Sequence, residues 1–137
     1  MRVAVVGAGV AGLACARALI NGGADVCVFD KGRSVGGRLA TRRIPPHAFD
    51  LGAQYFTAKD ERFARQVRAW SEAGVCAPWL GRIVAMNEAG CATQPTAAIE
   101  RLVGTPDMSA LARHMAAAPS SLQVRTGHRV DRITREG

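Results

Sequence analysis

The sequence of 137 residues predicts a single α/β domain that is built on a parallel sheet. Two runs of β-branched and apolar residues, residues 2–6 and 25–29, are separated by a helix-forming stretch from about residue 10 to 21. Strands joined through a helix in this way lie parallel, and the first reads as a strand buried on both faces. Residues 122–126 are the third candidate strand. Since three parallel strands are too few for a complete doubly wound sheet, we expect the sheet to be incomplete.

The composition indicates a folded domain, and the charge favours an anionic ligand. Apolar residues make up 48% of the chain and charged residues 21%, which excludes a disordered chain. The net charge of +7 comes mostly from arginine, since lysine occurs only at positions 31 and 59. The arginines form no basic run and are not interleaved with aromatic residues. We therefore expect a small phosphate-bearing ligand and no nucleic acid.

The sequence predicts neither a metal site nor a membrane segment. The 4 cysteines form no C-x-x-C pair and have no histidine at ligand spacing, which argues against zinc. Cys15 and Cys27 lie in apolar segments, and we expect them to be reduced core residues of a cytoplasmic protein. The apolar N-terminal stretch is interrupted by glycines and ends at Arg17, so it fits neither a signal peptide nor a membrane span.

The middle of the chain is predicted to contain a long loop followed by a helix. Residues 31–57 carry glycine, proline and arginine with little periodicity, so we expect an ordered loop with one helical turn at residues 37–40. Thr57 to Asp60 has the spacing of a capping box. The helix that it opens is expected to end at Gly74.

Residues 75–104 predict a small antiparallel β excursion, with strand-like pieces at residues 82–86 and 99–103. Thr105 then fits the N-cap of a further helix. Residues 128–135 read as a last strand. The chain thus combines a parallel sheet with a short antiparallel insertion.

Residues 7–12 read G-A-G-V-A-G and match the G-x-G-x-x-G fingerprint of a Rossmann-like dinucleotide-binding turn, because they follow a predicted strand and open a predicted helix. The first glycine makes the tight turn, the second lets the backbone touch a pyrophosphate, and the third lets the helix lie close to the strand. The helix N-terminus adds free N–H groups for the phosphates. The residues expected to bind the cofactor here are Gly7, Gly9, Ala11 and Gly12.

Asp30 ends the second predicted strand, 18 residues after Gly12. An acidic side chain at this offset accepts hydrogen bonds from both hydroxyls of an adenosine ribose, and its charge disfavours a 2'-phosphate. NADP is therefore disfavoured. An NAD-binding Rossmann dehydrogenase and an FAD-binding protein both stay open at this point.

A second glycine pair follows the acid. Residues 30–38, D-K-G-R-S-V-G-G-R, resemble the D/E-x5-G-G-R motif of the monoamine oxidase, phytoene desaturase and renalase class of flavoproteins. Gly37 permits close approach of the backbone to phosphate, and Arg38 can make a forked, charge-assisted contact with it. The resemblance implies FAD as the cofactor, with Lys31, Gly37 and Arg38 among the residues that bind it.

The resemblance narrows to renalase and its bacterial relatives at residues 49–57. These residues read F-D-L-G-A-Q-Y-F-T and are similar to the D-x-G-A-Q-Y-F/I-T segment of that family. The segment runs past the flavin there, so the resemblance places Gly52, Ala53 and Gln54 near the isoalloxazine, with Tyr55 beside it. Plain packing of Tyr55 is an equal alternative.

Two later segments extend the resemblance. Residues 108–111, M-S-A-L, resemble the family's helix start G-M-S/N-A, although Asp107 stands where glycine is common. Arg129, Val130 and Ile133 resemble the segment whose valine backbone pairs with the adenine ring, so Val130 is also expected to bind the cofactor. The similarity spans all 137 residues and matches the N-terminal portion of a renalase-like protein.

The resemblance implies the function of an FAD-dependent oxidoreductase, which passes a hydride from a reduced nicotinamide-type or amine substrate to the flavin and then to dioxygen. Residues 1–137 would form a partial FAD-binding domain, with residues 75–104 directed toward the substrate region. No catalytic acid or base is predicted, because the 3 histidines are isolated. The other alternative is a non-catalytic, truncated dinucleotide-binding module that self-associates through an uncovered sheet edge.

Overall fold

A computed structural model describes residues 1–81, 84–90, 92–93 and 99–135. Within these residues the elements are β1 (Arg2–Val6), α1 (Val10–Asn21), β2 (Asp25–Phe29), a 3-10 turn (Gly37–Leu39), β3 (Thr41–Ile44), β4 (His47–Asp50), α2 (Glu61–Glu72), β5 (Cys76–Pro78), β6 (Ala85–Met86), β7 (Ala92–Thr93), β8 (Leu102–Gly104), α3 (Ser109–Ala117) and β9 (Gln123–Arg125). The predicted α/β class is confirmed.

The parallel sheet has the strand order β1-β2-β9. Val28 of the central strand β2 lies opposite Val5 of β1 and opposite Val124 of β9, and both pairings are parallel. The three strands expected to form the sheet therefore do form it. The connection through α1 explains the direction of β2, since a strand that returns after a helix enters the sheet in the same sense.

Helices cover one face of this sheet. Val26 and Val28 point to that face and are buried together with Leu13 of α1 and Leu111 of α3. The opposite face is open in the described chain, and Val6 is 58% exposed there. The prediction that the first strand is buried on both faces was wrong. A run of apolar residues indicates that a strand can be buried, but it does not show that another element packs on each of its faces.

A β-hairpin occupies part of the segment that was expected to be loop. β3 and β4 pair antiparallel around Pro45 and Pro46, with Thr41 opposite Asp50. The hairpin escapes prediction because most of its residues are exposed and its strands do not alternate apolar with polar side chains. The helical turn expected at residues 37–40 is present as the 3-10 turn.

The two later helices begin where they were not expected to begin. Asp60 caps α2, since its carboxylate accepts hydrogen bonds from the backbone N–H groups of Arg62 and Phe63, so Thr57 is not the cap. The hydrogen bonds from the Arg62 side chain and the Phe63 backbone lower the pKa of Asp60. α3 begins at Ser109, four residues after the predicted cap Thr105. The intervening residues form a bend, and the side chain of Asp107 within it belongs to a buried polar network.

The antiparallel excursion is present, but its strands differ from those predicted. β5 pairs with β8, and β6 pairs with β7. The strand β5 was not foreseen, whereas the predicted piece 99–103 is represented by β8. Residues 82 and 83 of the other predicted piece lie outside the described residues. Residues 128–135 form no strand, which corrects the last predicted element.

Three further observations concern membrane-spanning helices, metal sites and the cysteines. None of the helices in the described part of the chain is long and apolar enough to cross a membrane. Among the described residues, no group of His, Cys, Asp and Glu side chains could hold a metal ion. Cys15 is exposed on α1 and Cys27 is partly buried, so the expectation that Cys15 is a core residue was wrong.

Candidate dinucleotide-binding site

The turn between β1 and α1 is closed by glycine geometry. Gly7 has a φ of +105°, a conformation that a residue with a Cβ rarely adopts, and its N–H donates to the Phe29 carbonyl at 2.7 Å. Gly9 is the N-cap of α1. Because glycine has no side chain to cap the helix, the first N–H groups of α1, at Val10 and Ala11, remain available to a ligand.

Gly12 lets the helix lie directly on this turn. A Cβ at position 12 would lie 1.8 Å from the carbonyl oxygen of Gly7, which is far inside van der Waals contact. Close packing of the helix on the strand was the task expected of this third glycine. The local geometry of the turn therefore requires glycine at position 12 whether or not a ligand is bound.

The second glycine pair packs against the first motif. The N–H of Gly36 donates to the Ala8 carbonyl at 2.9 Å, and Gly36 forms a parallel bridge with Gly9. A Cβ on Gly37 would lie 3.3 Å from the Cα of Gly9. Gly36 and Gly37 have φ values of +127° and +53°, so both adopt conformations that favour glycine. The two motifs thus form one continuous backbone surface.

The carboxylate of Asp30 accepts hydrogen bonds from the backbone next to this surface. Its Oδ2 accepts a hydrogen bond from the Ala8 N–H at 2.6 Å, and its Oδ1 accepts one from the Gly32 N–H at 2.6 Å. A carboxylate oxygen has two acceptor positions, so each oxygen can still accept a bond from a ribose hydroxyl. Lys31, the next residue, is exposed.

A third segment closes the site from the base of the hairpin. The N–H of Ala53 donates to the Arg38 carbonyl at 2.9 Å, and the N–H of Leu51 donates to the Ala40 carbonyl at 3.0 Å. A Cβ at Gly52 would lie 2.0 Å from the Arg38 carbonyl oxygen, so only glycine fits there. The contact joins the Gly-Gly-Arg segment to the segment that contains Gly52 and Ala53.

These three segments line one open cavity of about 560 Å³. Six of the predicted site residues line it, namely Gly9, Ala11, Gly37, Arg38, Gly52 and Ala53, whereas Gly7, Gly12, Asp30 and Lys31 do not. Sequence reasoning missed two apolar members, Val10 and Leu39. Each directly neighbours a motif residue, which is the signal that could have found them. The lining residues are Gly9, Val10, Ala11, Gly36, Gly37, Arg38, Leu39, Gly52 and Ala53.

Other predicted residues lie outside the lining of this cavity. Gln54 and Tyr55 are exposed and follow Ala53 directly along the chain. Val130 is 39% exposed and lines a separate cleft together with Val6, at the carboxyl end of β1. Val130 therefore lines a different cavity from the glycine segments.

A buried polar network connects the hairpin to the start of α3. The carboxylate of Asp107, which is 6% exposed, accepts hydrogen bonds from Thr41 Oγ1 at 3.2 Å and from Ser109 Oγ at 2.6 Å, and it forms ion pairs with Arg43 and Arg113. Asp50 adds a bond from Thr41 Oγ1 at 2.6 Å and one from the Met108 N–H at 3.2 Å.

The charge of Asp107 is stabilised by these partners. Burial alone raises the pKa of this carboxyl, but the hydrogen bonds from Ser109 and Arg43 and the charge of Arg113 outweigh burial and lower the pKa to about 2. Asp107 stands where the family motif commonly has glycine, and no sequence signal revealed the role of its side chain. The network fixes the hairpin whose base carries Arg38 and Gly52.

Comparison with known proteins agrees with this geometry. The family model described as "NAD(P)-binding Rossmann-like domain" matches residues 5–70, which include both glycine motifs and Asp30. The chain carries a Rossmann-like NAD(P)-binding domain. Over 52 residues it is 42% identical to the 4,4'-diapophytoene desaturase (4,4'-diaponeurosporene-forming) of Staphylococcus aureus strain Newman, a match that covers 38% of this chain and 10% of the desaturase.

Solved structures show the same arrangement of elements. Putrescine oxidase, in a wild-type structure bound to putrescine, matches with a TM-score of 0.51 and 30% identity over 71% of this chain and 22% of the oxidase. A fatty acid isomerase from P. acnes that produces CLA matches with a TM-score of 0.51 and 22% identity, over 67% of this chain and 22% of the isomerase, and supports the fold alone. The chain thus spans about a tenth to a fifth of the length of these relatives.

The Rossmann-like domain is of the FAD-dependent oxidoreductase type, since the family model matches a Rossmann-like domain and the relatives include a desaturase and an oxidase. The prediction of FAD as the cofactor is confirmed for the type of domain. The contacts of individual residues with FAD, and the reaction itself, are proposals.

Proposed function

We propose that the chain is part of a renalase-like, FAD-dependent oxidoreductase, and that residues 1–137 contribute to its FAD-binding domain. The observation that carries the proposal is the meeting of three segments around one cavity: the first glycine turn, the Gly-Gly-Arg segment and the segment at Gly52. The fingerprint of a nicotinamide dehydrogenase includes the first of these segments and not the other two.

The residues around the cavity fit a dinucleotide diphosphate. The cradle between Gly9 and Gly37 is bare backbone, and a Cβ at Gly37 would narrow it. The N-terminus of α1 carries partial positive charge, and the exposed guanidinium of Arg38 adds a full charge at the same cavity. In the proposed complex these groups bind the diphosphate, and Asp30 accepts bonds from the adenosine ribose.

The flavin end of the cofactor is proposed to lie beyond the hairpin base. Gly52 and Ala53 would pass the ring system, and the Gln54 amide would donate or accept a hydrogen bond at the ring edge. When bound, FAD supplies a hydride acceptor that is reoxidised by dioxygen. The substrate class proposed from the family resemblance is a reduced nicotinamide-type molecule or an amine.

The residue proposed for the adenine end lines a different cavity from the glycine segments. Val130 is proposed to offer its backbone to the adenine ring from the cleft that it shares with Val6. Lys31 is proposed to lie beside the ribose, since it follows Asp30 directly. Residues 75–104 are proposed to extend toward the substrate region, because β5 and β8 pack next to the segment that contains Tyr55 and Phe56.

The proposal is tested by purifying the intact polypeptide and measuring its flavin absorbance before and after denaturation. We expect yellow protein that releases FAD in equimolar amount. Arg38→Ala should weaken FAD binding about 10- to 100-fold, because it removes a charge-assisted contact worth about 1.5–3 kcal/mol. Arg42→Ala removes the same charge from an exposed hairpin position and should leave FAD affinity nearly unchanged.

Two results would contradict the proposal. The first is colourless protein that takes up no FAD under any condition, and the second is equal FAD affinity of the Arg38→Ala variant and the wild-type protein. Tight NAD binding without flavin would instead support the NAD-binding dehydrogenase.

A further inference from the structure

The exposed side chains of Tyr55 and Trp79 form a cluster with the partly buried Arg101, next to the proposed flavin segment. The rings of Tyr55 and Trp79 have centroids 5.7 Å apart, and the guanidinium carbon of Arg101 lies 5.2 Å from the Tyr55 centroid. Tyr55 is 43% exposed and Trp79 is 38% exposed. Two large aromatic side chains with a stacked cation therefore present open ring surface to solvent.

The backbone holds the three side chains together. Phe56 and Leu102 exchange two N–H to carbonyl hydrogen bonds of 2.9 Å, and the Trp79 N–H donates to the Arg101 carbonyl at 2.7 Å. A Cβ at Gly81 would lie 2.6 Å from the indole nitrogen of Trp79, so the chain packs closely on that ring. The cluster thus joins three chain segments whose relative positions are set by backbone hydrogen bonds.

The cluster lies close to the candidate dinucleotide cavity. Ala53 lines that cavity, and Tyr55 follows it by two residues. Two peptide units span at most about 7 Å, so the Cα of Tyr55 is within that distance of the Cα of Ala53. A molecule stacked on Tyr55 would therefore be within reach of the end of the cofactor that passes Ala53 and Gln54.

The charge of the cluster is positive. None of the ion pairs formed within residues 1–81, 84–90, 92–93 and 99–135 involves Arg101. A guanidinium stacked on a ring keeps its N–H groups at the edge free, and their forked geometry matches a carboxylate or a phosphate. A protonated amine at the same place would be repelled by the charge of Arg101.

We propose that Tyr55, Trp79 and Arg101 form a substrate-recognition site for a flat ring that carries an anionic group, and that Arg101 excludes cationic amines. The aromatic rings stack on the substrate ring, and Arg101 pairs with its anionic group. This inference rests on the proposed function, since it takes the flavin to lie beside Gln54. The charge of Arg101 disfavours the amine, which is one of the two substrate classes that the family resemblance leaves open.

The test uses two ligands of equal ring size and opposite charge, benzoate and benzylamine, titrated into the FAD-loaded intact polypeptide while the flavin absorbance is followed. We expect benzoate to bind at least tenfold more tightly than benzylamine. Arg101→Ala should weaken benzoate binding about tenfold, and Arg101→Glu should reverse the order of the two ligands. Tyr55→Leu should weaken both ligands together, because it removes the stacking surface and not the charge.

The control variant is Arg65→Ala, which removes an exposed arginine of α2 and should leave both affinities unchanged. If Arg101→Glu fails to fold, the neutral variant Arg101→Gln takes its place and should lower the benzoate affinity about tenfold. FAD-loaded protein whose benzoate affinity is unchanged in Arg101→Ala or Arg101→Gln, or that prefers benzylamine, would overturn the inference alone. Protein without flavin would overturn the proposed function, and this inference with it.

Discussion

The amide nitrogen of Ala8 lies 2.6 Å from Oδ2 of Asp30, so the carboxylate at the end of the second strand holds the glycine turn that leaves the first strand. The residue predicted to bind a ribose therefore also shapes the loop predicted to bind the diphosphate. Loss of this side chain should affect both the fold of the turn and the affinity for the cofactor.

Asp30→Ala should lower the free energy of unfolding by about 2 kcal/mol, because two backbone N–H groups lose a charged acceptor. Urea denaturation of the purified protein measures the effect. Asp25→Ala, at the other end of β2, is the control: its ion pair with Arg2 is exposed and 3.7 Å long, so its loss should change stability by less than about 0.5 kcal/mol. Similar losses in the two variants would show that Asp30 does not support the turn.

Gly12→Ala should destabilise the domain by about 1–3 kcal/mol, because the new methyl group must displace the Gly7 carbonyl or the helix itself. The same change should also lower FAD affinity, since it moves the N-terminus of α1. Gly22→Ala lies at the other end of the helix, where a Cβ meets its nearest atom at 3.4 Å and φ is −83°. Thermal unfolding should show a clear loss for the first variant and a small change for the second.

The network around Asp107 predicts a pH-dependent stability. The folded-state pKa of this carboxyl is about 2, below the ordinary value of 3.8, so its stabilising contribution is present above pH 4 and is lost as the pH falls toward 2. A shift of this size corresponds to about 2 kcal/mol. Asp107→Asn should therefore lower stability at pH 7 and flatten the dependence of the unfolding free energy on pH between 2 and 4.

The control for this experiment is Asp131→Asn, which removes an acid from an exposed ion pair with Arg129. Its stability should follow the wild-type pH dependence, because an exposed pair adds little. An Asp107→Asn variant that keeps the full wild-type slope between pH 2 and 4 would show that the network does not stabilise the charge.

The cap of α2 gives a direct comparison between two neighbouring residues. Asp60→Ala should lower the melting temperature, because two N–H groups of the first turn lose their acceptor. Thr57→Ala should leave it unchanged, since Thr57 lies outside the helix start. A larger loss of melting temperature in Thr57→Ala than in Asp60→Ala would show that Thr57 is the cap.

The elements that were predicted well are those whose signals are local. β1, α1 and β2 follow from β-branched runs, a glycine turn and a glycine stop, and the structure places them within the expected residues. The residues of the first glycine turn share the same advantage, because the conformation of Gly7 and the contact of Gly12 arise within a few residues of each other. The conformation of such features depends on residues close in sequence and little on the rest of the chain.

The hairpin and the start of α3 were missed because their stability comes from each other. Thr41 and Arg43 of β3 bond to Asp107, which lies more than sixty residues further along the chain. The exposed strands carry no apolar alternation, and Asp107 in the sequence suggests only a departure from a motif. A buried carboxylate network is visible only when all its donors are placed around it.

From the sequence alone one can predict the strand-turn-helix unit, the spacing of Asp30 from the glycines and the resemblance to flavoproteins, since each depends on residues that are near one another in the chain. Only the folded chain shows that the two glycine motifs and Gly52 share one cavity, that Asp107 anchors the hairpin and that Arg101 stacks on Tyr55. Hydrogen bonds, ion pairs and ring contacts act over a few ångströms of space, and distance along the chain does not report which residues come that close.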